Sequence, residues 1–186
     1  FAIFCINFQN NGKLLLYLLY LPSNMAIRIF AAGGTLDKIY DELSGNLTFK
    51  GTHLHSMLYQ ARSGLDINIE TIVLMDSLDM LPSHRQQIAE KCKSCLEDRI
   101  VITHGTDTMV ETAQLLGAEI QDKTIVLTGA MIPYSFVLSD APFNIGCALA
   151  YVQILPYGVY VTMNGKIFDY DNVRKNKEKG QFETIK

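Results

Sequence analysis

The sequence has no marked excess of either charge, no apolar run long enough to span a bilayer as a helix, and no disulfide framework in its few scattered cysteines. Sixteen Lys and Arg stand against 19 Asp and Glu, a formal charge of −3. That balance offers no electrostatic footprint for a nucleic-acid backbone or an anionic membrane surface. A small molecule is the expected partner. The four cysteines are Cys5, Cys92, Cys95 and Cys147. Cys92 and Cys95 have C-x-x-C spacing, but they lie in a helix-like segment with no second pair and away from any strand-to-helix turn, which argues against zinc or redox use. Reduced thiols packed in a cytoplasmic protein fit better. Internal repeats and low-complexity linkers are absent as well, and Gly and Pro are at ordinary levels. Disordered and fibrous classes are thereby excluded.

Residues 1 to 24 differ in character from the rest. They are aromatic and leucine-rich, with an apolar stretch from Leu14 to Leu21, far below the roughly 20 residues a spanning helix needs. Lys13 follows an apolar start and no small-x-small site comes before the next strand, which is the wrong order for a signal peptide. Two readings stay open: an apolar extension packed on a surface, or upstream sequence read in frame ahead of Met25. Residues 25 to 186 are expected to form one domain, because a chain of 186 residues that is 48% apolar can build one substantial core and is short for two.

From Met25 onward short apolar runs alternate with helical patterns. The expected strands are Ile27 to Ala32, Ile69 to Met75, Arg99 to Thr103, Thr124 to Thr128 and Gly158 to Met163. Each is almost continuously apolar, as strands covered on both faces are. Helical patterns run from His53 to Arg62, Ser83 to Leu96, Met109 to Ile120 and Phe143 to Leu155. Pro82-Ser83 reads as a helix start, with Ile88, Cys92, Cys95 and Leu96 at helical spacing behind it. The alternation specifies an α/β fold: a mostly parallel, doubly wound sheet between helices, in three layers. The tail after Met163 turns polar and reads as a solvated end.

In such a sheet ligands bind beyond the carboxyl ends of the strands. The segments that follow the five strands are GGTLDKIY, DSLDM, HGTDT, GAMIPYS and NGKIFDYDNVRK. Hydroxyls, carboxylates and a lysine therefore gather on one rim. Capping is the plain alternative for Thr106, Asp107 and Thr108, which precede a helix. Five polar breaks on one edge favour a site. His53 and His55 form an H-x-H pair with no carboxylate companion, so surface or capping roles are expected rather than metal ligation. His104 is expected to hold loop backbone through its ring nitrogens.

The stretches AAGGTLDKIY, HGTDTMVETA and LTGAMIPYSFVLSDAPFN resemble the L-asparaginase family of threonine amidohydrolases, bacterial types I and II, from about Ile27 to Lys175. The resemblance covers that family's N-terminal domain alone, as in short single-domain asparaginase-like proteins, and it implies a flavodoxin-like three-layer sandwich. Carried over residue by residue, Thr35 matches the nucleophile and Tyr40 a loop tyrosine. Ser77 matches a serine that holds the substrate α-carboxylate. Thr106 and Asp107 match the second threonine and the carboxylate that receives the substrate ammonium. Lys175 matches the lysine bonded to that threonine. Gly34, Asp79, Gly105 and Ala130 fall on the substrate-binding rim. Two departures stand out: Leu78 occupies the place of a glutamine found in many members, and an acidic residue supplied by a neighbouring subunit's C-terminal domain has no counterpart in this sequence.

The resemblance implies attack on a side-chain amide by Thr35 or Thr106, release of ammonia, and hydrolysis of the acyl-enzyme by water, with neither metal nor cofactor. A threonine hydroxyl needs a base for this. A lysine shielded from water can take a proton through a bridging hydroxyl, while a neighbouring carboxylate positions it and opposes loss of its charge. Glycines at the first turn permit close backbone approach, and N–H groups at helix starts could hold an oxyanion. Competing readings are an amino-acid-binding protein with slow turnover and a nucleotide-binding module. The second would require a longer Gly-rich loop or a P-loop lysine, neither of which is present. A homodimer or higher homo-oligomer is expected, with Ile132, Tyr134, Phe136, Val137 and the segment around Tyr170 against a second subunit.

Overall fold

The computed structural model describes residues 4–10, 13–19 and 26–186. Strands β1 (Phe4–Asn10) and β2 (Lys13–Leu19) pair antiparallel as a separate two-stranded sheet. The rest of the N-terminal stretch lies outside the described residues.

A six-stranded sheet forms the centre of the molecule. Its strands are β3 (Ile27–Ala31), β6 (Ile67–Thr71), β7 (Arg99–Thr103), β8 (Thr124–Thr128), β9 (Gly158–Met163) and β10 (Lys166–Asp169). Between β3 and β6 in the chain, β4 (Lys38–Asp41) and β5 (Asn46–Phe49) form a small antiparallel hairpin. The order across the sheet is β10-β9-β8-β7-β3-β6; all neighbours run parallel except β9 and β10.

Side-chain alternation along these strands builds two cores. Phe30, Ile100, Ile102, Ile125, Leu127, Val159 and Val161 face helices α2 (Pro82–Ser94) and α3 (Met109–Glu119), meeting Ile88, Cys92, Met109 and Leu116. Ile27, Ile29, Val101 and Val126 point the other way, toward α1 (Leu54–Gln60) and α4 (Ala141–Ile154), where Leu54, Met57, Ile145, Leu149 and Val152 wait. This is the doubly wound, three-layer arrangement that continuous apolar strands require.

Three expectations are corrected. The second expected strand begins earlier and stops sooner: β6 ends at Thr71, and residues 72–75 leave the ladder. Its partner β3 ends at Ala31, so the last sheet bond is Ile72 N–H to the Ala31 carbonyl at 3.0 Å. Leu96 is almost fully exposed because α2 stops at Ser94 and Cys95 turns extended. The helix also starts one residue before Ser83: Pro82 opens α2, and His84 Nδ1 accepts the Leu81 N–H at 3.1 Å.

The polar tail is structured rather than solvated. Asn164 and Gly165 both take left-handed φ, 53° and 81°, the conformation of a tight hairpin turn, and send β10 back along β9. Strands β11 (Arg174–Asn176) and β12 (Gln181–Glu183) pair beyond it. Phe168, Val173 and Phe182 anchor the tail by entering the α2/α3 core. Among the described residues no helix is long and apolar enough to cross a membrane.

Candidate active site

Register aligns the strand ends. Ala31 sits opposite Thr103, Thr103 opposite Thr128, and Ala31 opposite Thr71. The loops that follow must therefore meet.

Glycines let them meet closely. Gly33 and Gly34 hold φ of 80° and 82°, a region costly for residues with a β-carbon. A β-carbon on Gly34 would fall 2.5 Å from Gly105 Cα, and one on Gly105 would fall 2.5 Å from Ser77 Cβ and Oγ. Three loops thus stack in backbone contact. The Gly34 N–H donates to the Met75 carbonyl at 2.9 Å, and Ala32 N–H to the Thr103 carbonyl at 2.9 Å.

His104 rigidifies the HGTDT loop. It is fully buried; its Nδ1 lies 2.8 Å from the Gly105 carbonyl and its Nε2 2.9 Å from Thr112 Oγ1. The carbonyl can only accept, so Nδ1 carries the proton and Nε2 accepts from the hydroxyl. Burial drives its pKa down to about 4, with the Arg85 charge adding to the effect against the opposing Gly105 bond. The ring is neutral and structural.

Thr106, Asp107 and Lys175 come together. Lys175, arriving on β11, donates to Thr106 Oγ1 at 2.7 Å and to Asp107 Oδ1 at 2.8 Å. Its side chain is only 10% exposed, against 35% for Asp107. Capping does not explain this loop. Thr108 occupies the N-cap of α3 without a side-chain cap bond, and its hydroxyl donates instead to the Ser77 carbonyl at 2.8 Å.

Thr35 opens a single 3-10 turn, Thr35–Asp37, and is half-buried beside Gly34. Among the described residues no hydrogen bond engages its hydroxyl. Asp37 fixes the turn: Oδ1 accepts from Thr52 Oγ1 at 3.0 Å and the His53 N–H at 2.9 Å. Burial raises the Asp37 carboxyl above its ordinary value despite those bonds. His53 stands at the start of α1 with its ring 5.4 Å from that of Tyr134, and His55 is exposed. Among the described residues no cluster of His, Cys, Asp or Glu is arranged to hold a metal.

Ser77 is buried, and its Oγ has no hydrogen-bond partner among the described residues. Ala130 is also fully buried. Tyr40, on β4, is 57% exposed, and Asp79 lies exposed at the end of the Ser77–Asp79 turn. No hydrogen bond ties either side chain to Thr106, Asp107 or Lys175 among the described residues.

Sequence reasoning missed a second ion pair on this rim, Lys38 with Asp76. Burial works to raise the Asp76 carboxyl, but the Lys38 ammonium, the Leu78 N–H and the charge of Lys175 outweigh it and hold it below its usual value. The pair clamps the β4–β5 hairpin to the loop after β6, and Ser135 Oγ adds a bond to the Lys38 carbonyl at 2.9 Å. The segment from Leu36 to Lys50 therefore closes on its own domain. Asp140 and Asn144 were also missed as loop pins. The Asp140 carboxylate accepts from Met131 and Ile132 N–H groups at 3.0 Å, and Asn144 Nδ2 donates to the Gly129 carbonyl at 2.9 Å. Their signal was present in SDAPFN: a carboxylate and an amide one helical turn apart at a helix start.

A family model described as asparaginase, N-terminal, matches residues 26–185. The chain belongs to the asparaginase family. It is 33% identical over 159 residues to L-asparaginase 2 of Escherichia coli, covering 80% of this chain and 46% of that protein. It is likewise 33% identical over 154 residues to a glutamyl-tRNA(Gln) amidotransferase subunit from Methanococcus vannielii, covering 80% and 36%. The solved L-asparaginase of Thermococcus kodakarensis superposes with a TM-score of 0.78 at 30% identity, covering 87% of this chain and 51% of that one. The chain thus spans about half the length of these two asparaginases, and about a third of the amidotransferase protein. Within the asparaginase fold, Leu78 projects from the rim 66% exposed.

Proposed function

We propose that this asparaginase-family chain is an amidohydrolase that cleaves the side-chain amide of L-asparagine or a related small amide. Thr35 or Thr106 attacks the carbonyl carbon, ammonia leaves, and water then hydrolyses the resulting ester, returning the hydroxyl and an acid. The observation that carries this reading is the Lys175 ammonium bridging Thr106 Oγ1 and Asp107 Oδ1. It joins a nucleophile candidate, a proton carrier and a carboxylate in one hydrogen-bonded unit. The exposed flank of Asp107 is free to receive a substrate ammonium, and the unpartnered Ser77 Oγ is a buried polar group that a substrate carboxylate would satisfy. Nothing in this cycle calls for a metal or cofactor.

The test is an ammonia-release screen against asparagine, glutamine, D-asparagine, peptide amides and N-substituted amides, with Thr35→Ala, Thr106→Ala and Asp107→Asn as variants. Each threonine variant should keep the circular-dichroism spectrum and lose more than roughly a hundredfold in turnover. Asp107→Asn should impair substrates carrying an α-amino group more than those lacking it. Near-normal turnover in both threonine variants overturns the nucleophile assignment. Tight amino-acid binding without ammonia release would make the chain a binding protein instead.

A further inference from the structure

Thr106 Oγ1 accepts a hydrogen bond from Lys175, so its own proton must point elsewhere. It points at a thioether: Met131 Sδ lies 3.6 Å away. Sulfur is a weak acceptor, and the contact leaves the hydroxyl loosely held. Met131 is also the one conspicuously exposed methionine among the described residues, at 38%, whereas Met57, Met80, Met109 and Met163 are at most 6% exposed and Met75 is half-buried. Its position is fixed. The Met131 N–H is held by both Asp140 oxygens at 3.0 Å, and its Cε lies beneath Gly180, where a β-carbon would stand 3.7 Å from it. The most exposed methionine in this set is therefore the one whose sulfur touches the proposed catalytic unit.

We propose that Met131 is a site of reversible oxidation by hydroperoxides, and that its sulfoxide shuts the Thr106–Lys175 unit. The sulfur lone pair attacks one oxygen of hydrogen peroxide, the O–O bond breaks, sulfur is oxidised by two electrons, and the departing hydroxide takes a proton to leave as water. The new sulfoxide oxygen is a strong acceptor placed where only a weak one stood. It captures the Thr106 proton or competes for the Lys175 ammonium, and it adds bulk beside a threonine that is 4% exposed. Reduction by a methionine sulfoxide reductase, with a thiol as the electron source, restores the thioether. Peroxide is smaller than any amide substrate, so whatever admits substrate to this crevice admits it too.

The loss-of-activity half of this proposal rests on the function proposed above; the oxidation itself does not. The experiment treats the full chain with graded hydrogen peroxide, maps each methionine by peptide mass spectrometry and follows ammonia release. Met131 should oxidise at least about tenfold faster than the buried methionines, in keeping with exposure. Activity should fall in step with Met131 sulfoxide and return after reductase treatment. Met131→Leu should resist peroxide, and Met131→Gln, which carries a permanent acceptor, should be impaired without it. Oxidation of the buried methionines first, or full Met131 sulfoxide with unchanged turnover, overturns the proposal. If no amide is turned over at all, the function fails independently, and the 15N NMR signal of the Lys175 side chain decides. It should move on oxidation of the wild type and stay in Met131→Leu; an unmoved signal in the wild type sinks the coupling.

Discussion

Between pH 6.5 and about 4 an unfolded chain takes up a proton at residue 104, while the folded chain, with the buried His104 ring held neutral, does not. The unfolded state then binds more protons, so stability falls as pH falls through this window. The full effect of one group shifted this far is on the order of 3 kcal/mol. The Asp37 carboxyl, raised by burial, works in the opposite sense above its ordinary value of 3.8, so the comparison that isolates the histidine is wild type against His104→Gln. Urea unfolding midpoints at pH 7, 6, 5 and 4.5 should converge between the two proteins as pH falls. Parallel curves would show that the ring takes up its proton in the folded state, so that Nε2 does not accept from the Thr112 hydroxyl as described. At this scale the residues were legible for what they are and less so for whom they meet. Thr106 and Asp107 announce themselves as a polar break between an apolar strand and a helix; Lys38 and Asp76 lie 38 residues apart with nothing in either neighbourhood to pair them.

At the scale of elements, the junctions after β3 and β7 are held by the absence of side chains. Gly34 and Gly45 both have left-handed φ, 82° and 72°. A β-carbon at Gly45 meets nothing within 4 Å, whereas one at Gly34 meets the backbone of His104 and Gly105. Gly45→Ala should therefore cost only backbone strain, about 1 kcal/mol, or roughly 3 °C in thermal midpoint. Gly34→Ala adds a clash against main chain that cannot rotate away, so it should cost at least about twice as much and also remove activity, because the HGTDT loop has to move. Equal midpoints for the two variants would mean that the loops are not stacked as described. Sequence patterning located the three central strands β7, β8 and β9 end to end, because fully covered strands are apolar throughout. It missed β4, β5 and the tail strands, since short exposed hairpins carry few apolar residues and depend on turns and on what lies beneath them.

At the scale of the molecule, the loop after β8 leaves Val137 and Leu138 each 88% exposed, with Ile132 and Phe136 near 40%. An apolar ridge of this kind beside a site favours a covering partner. A two-fold dimer through this ridge is the simplest arrangement. Two of the groups expected there are already occupied: Tyr134 packs on the α1/α4 core, and the Tyr170 ring covers Gly117 on α3. The interface is thus expected on residues 136–138 rather than around Tyr170. Sedimentation equilibrium from micromolar concentrations downward should show dimers or larger assemblies, dissociated by Val137→Asp with Leu138→Asp. A wild-type monomer of undiminished activity would rule the interface out. The sequence by itself determined the layers of this protein and the chemical inventory of one sheet edge, because alternation, apolar runs and polar breaks are written within a few consecutive residues. Tertiary structure alone decided the contacts inside that inventory. Lys175 stands in a polar tail 69 residues beyond Thr106, and only the Asn164-Gly165 reversal, with Phe168, Val173 and Phe182 sunk into the core, carries its ammonium back to a threonine and a carboxylate in the loop after β7.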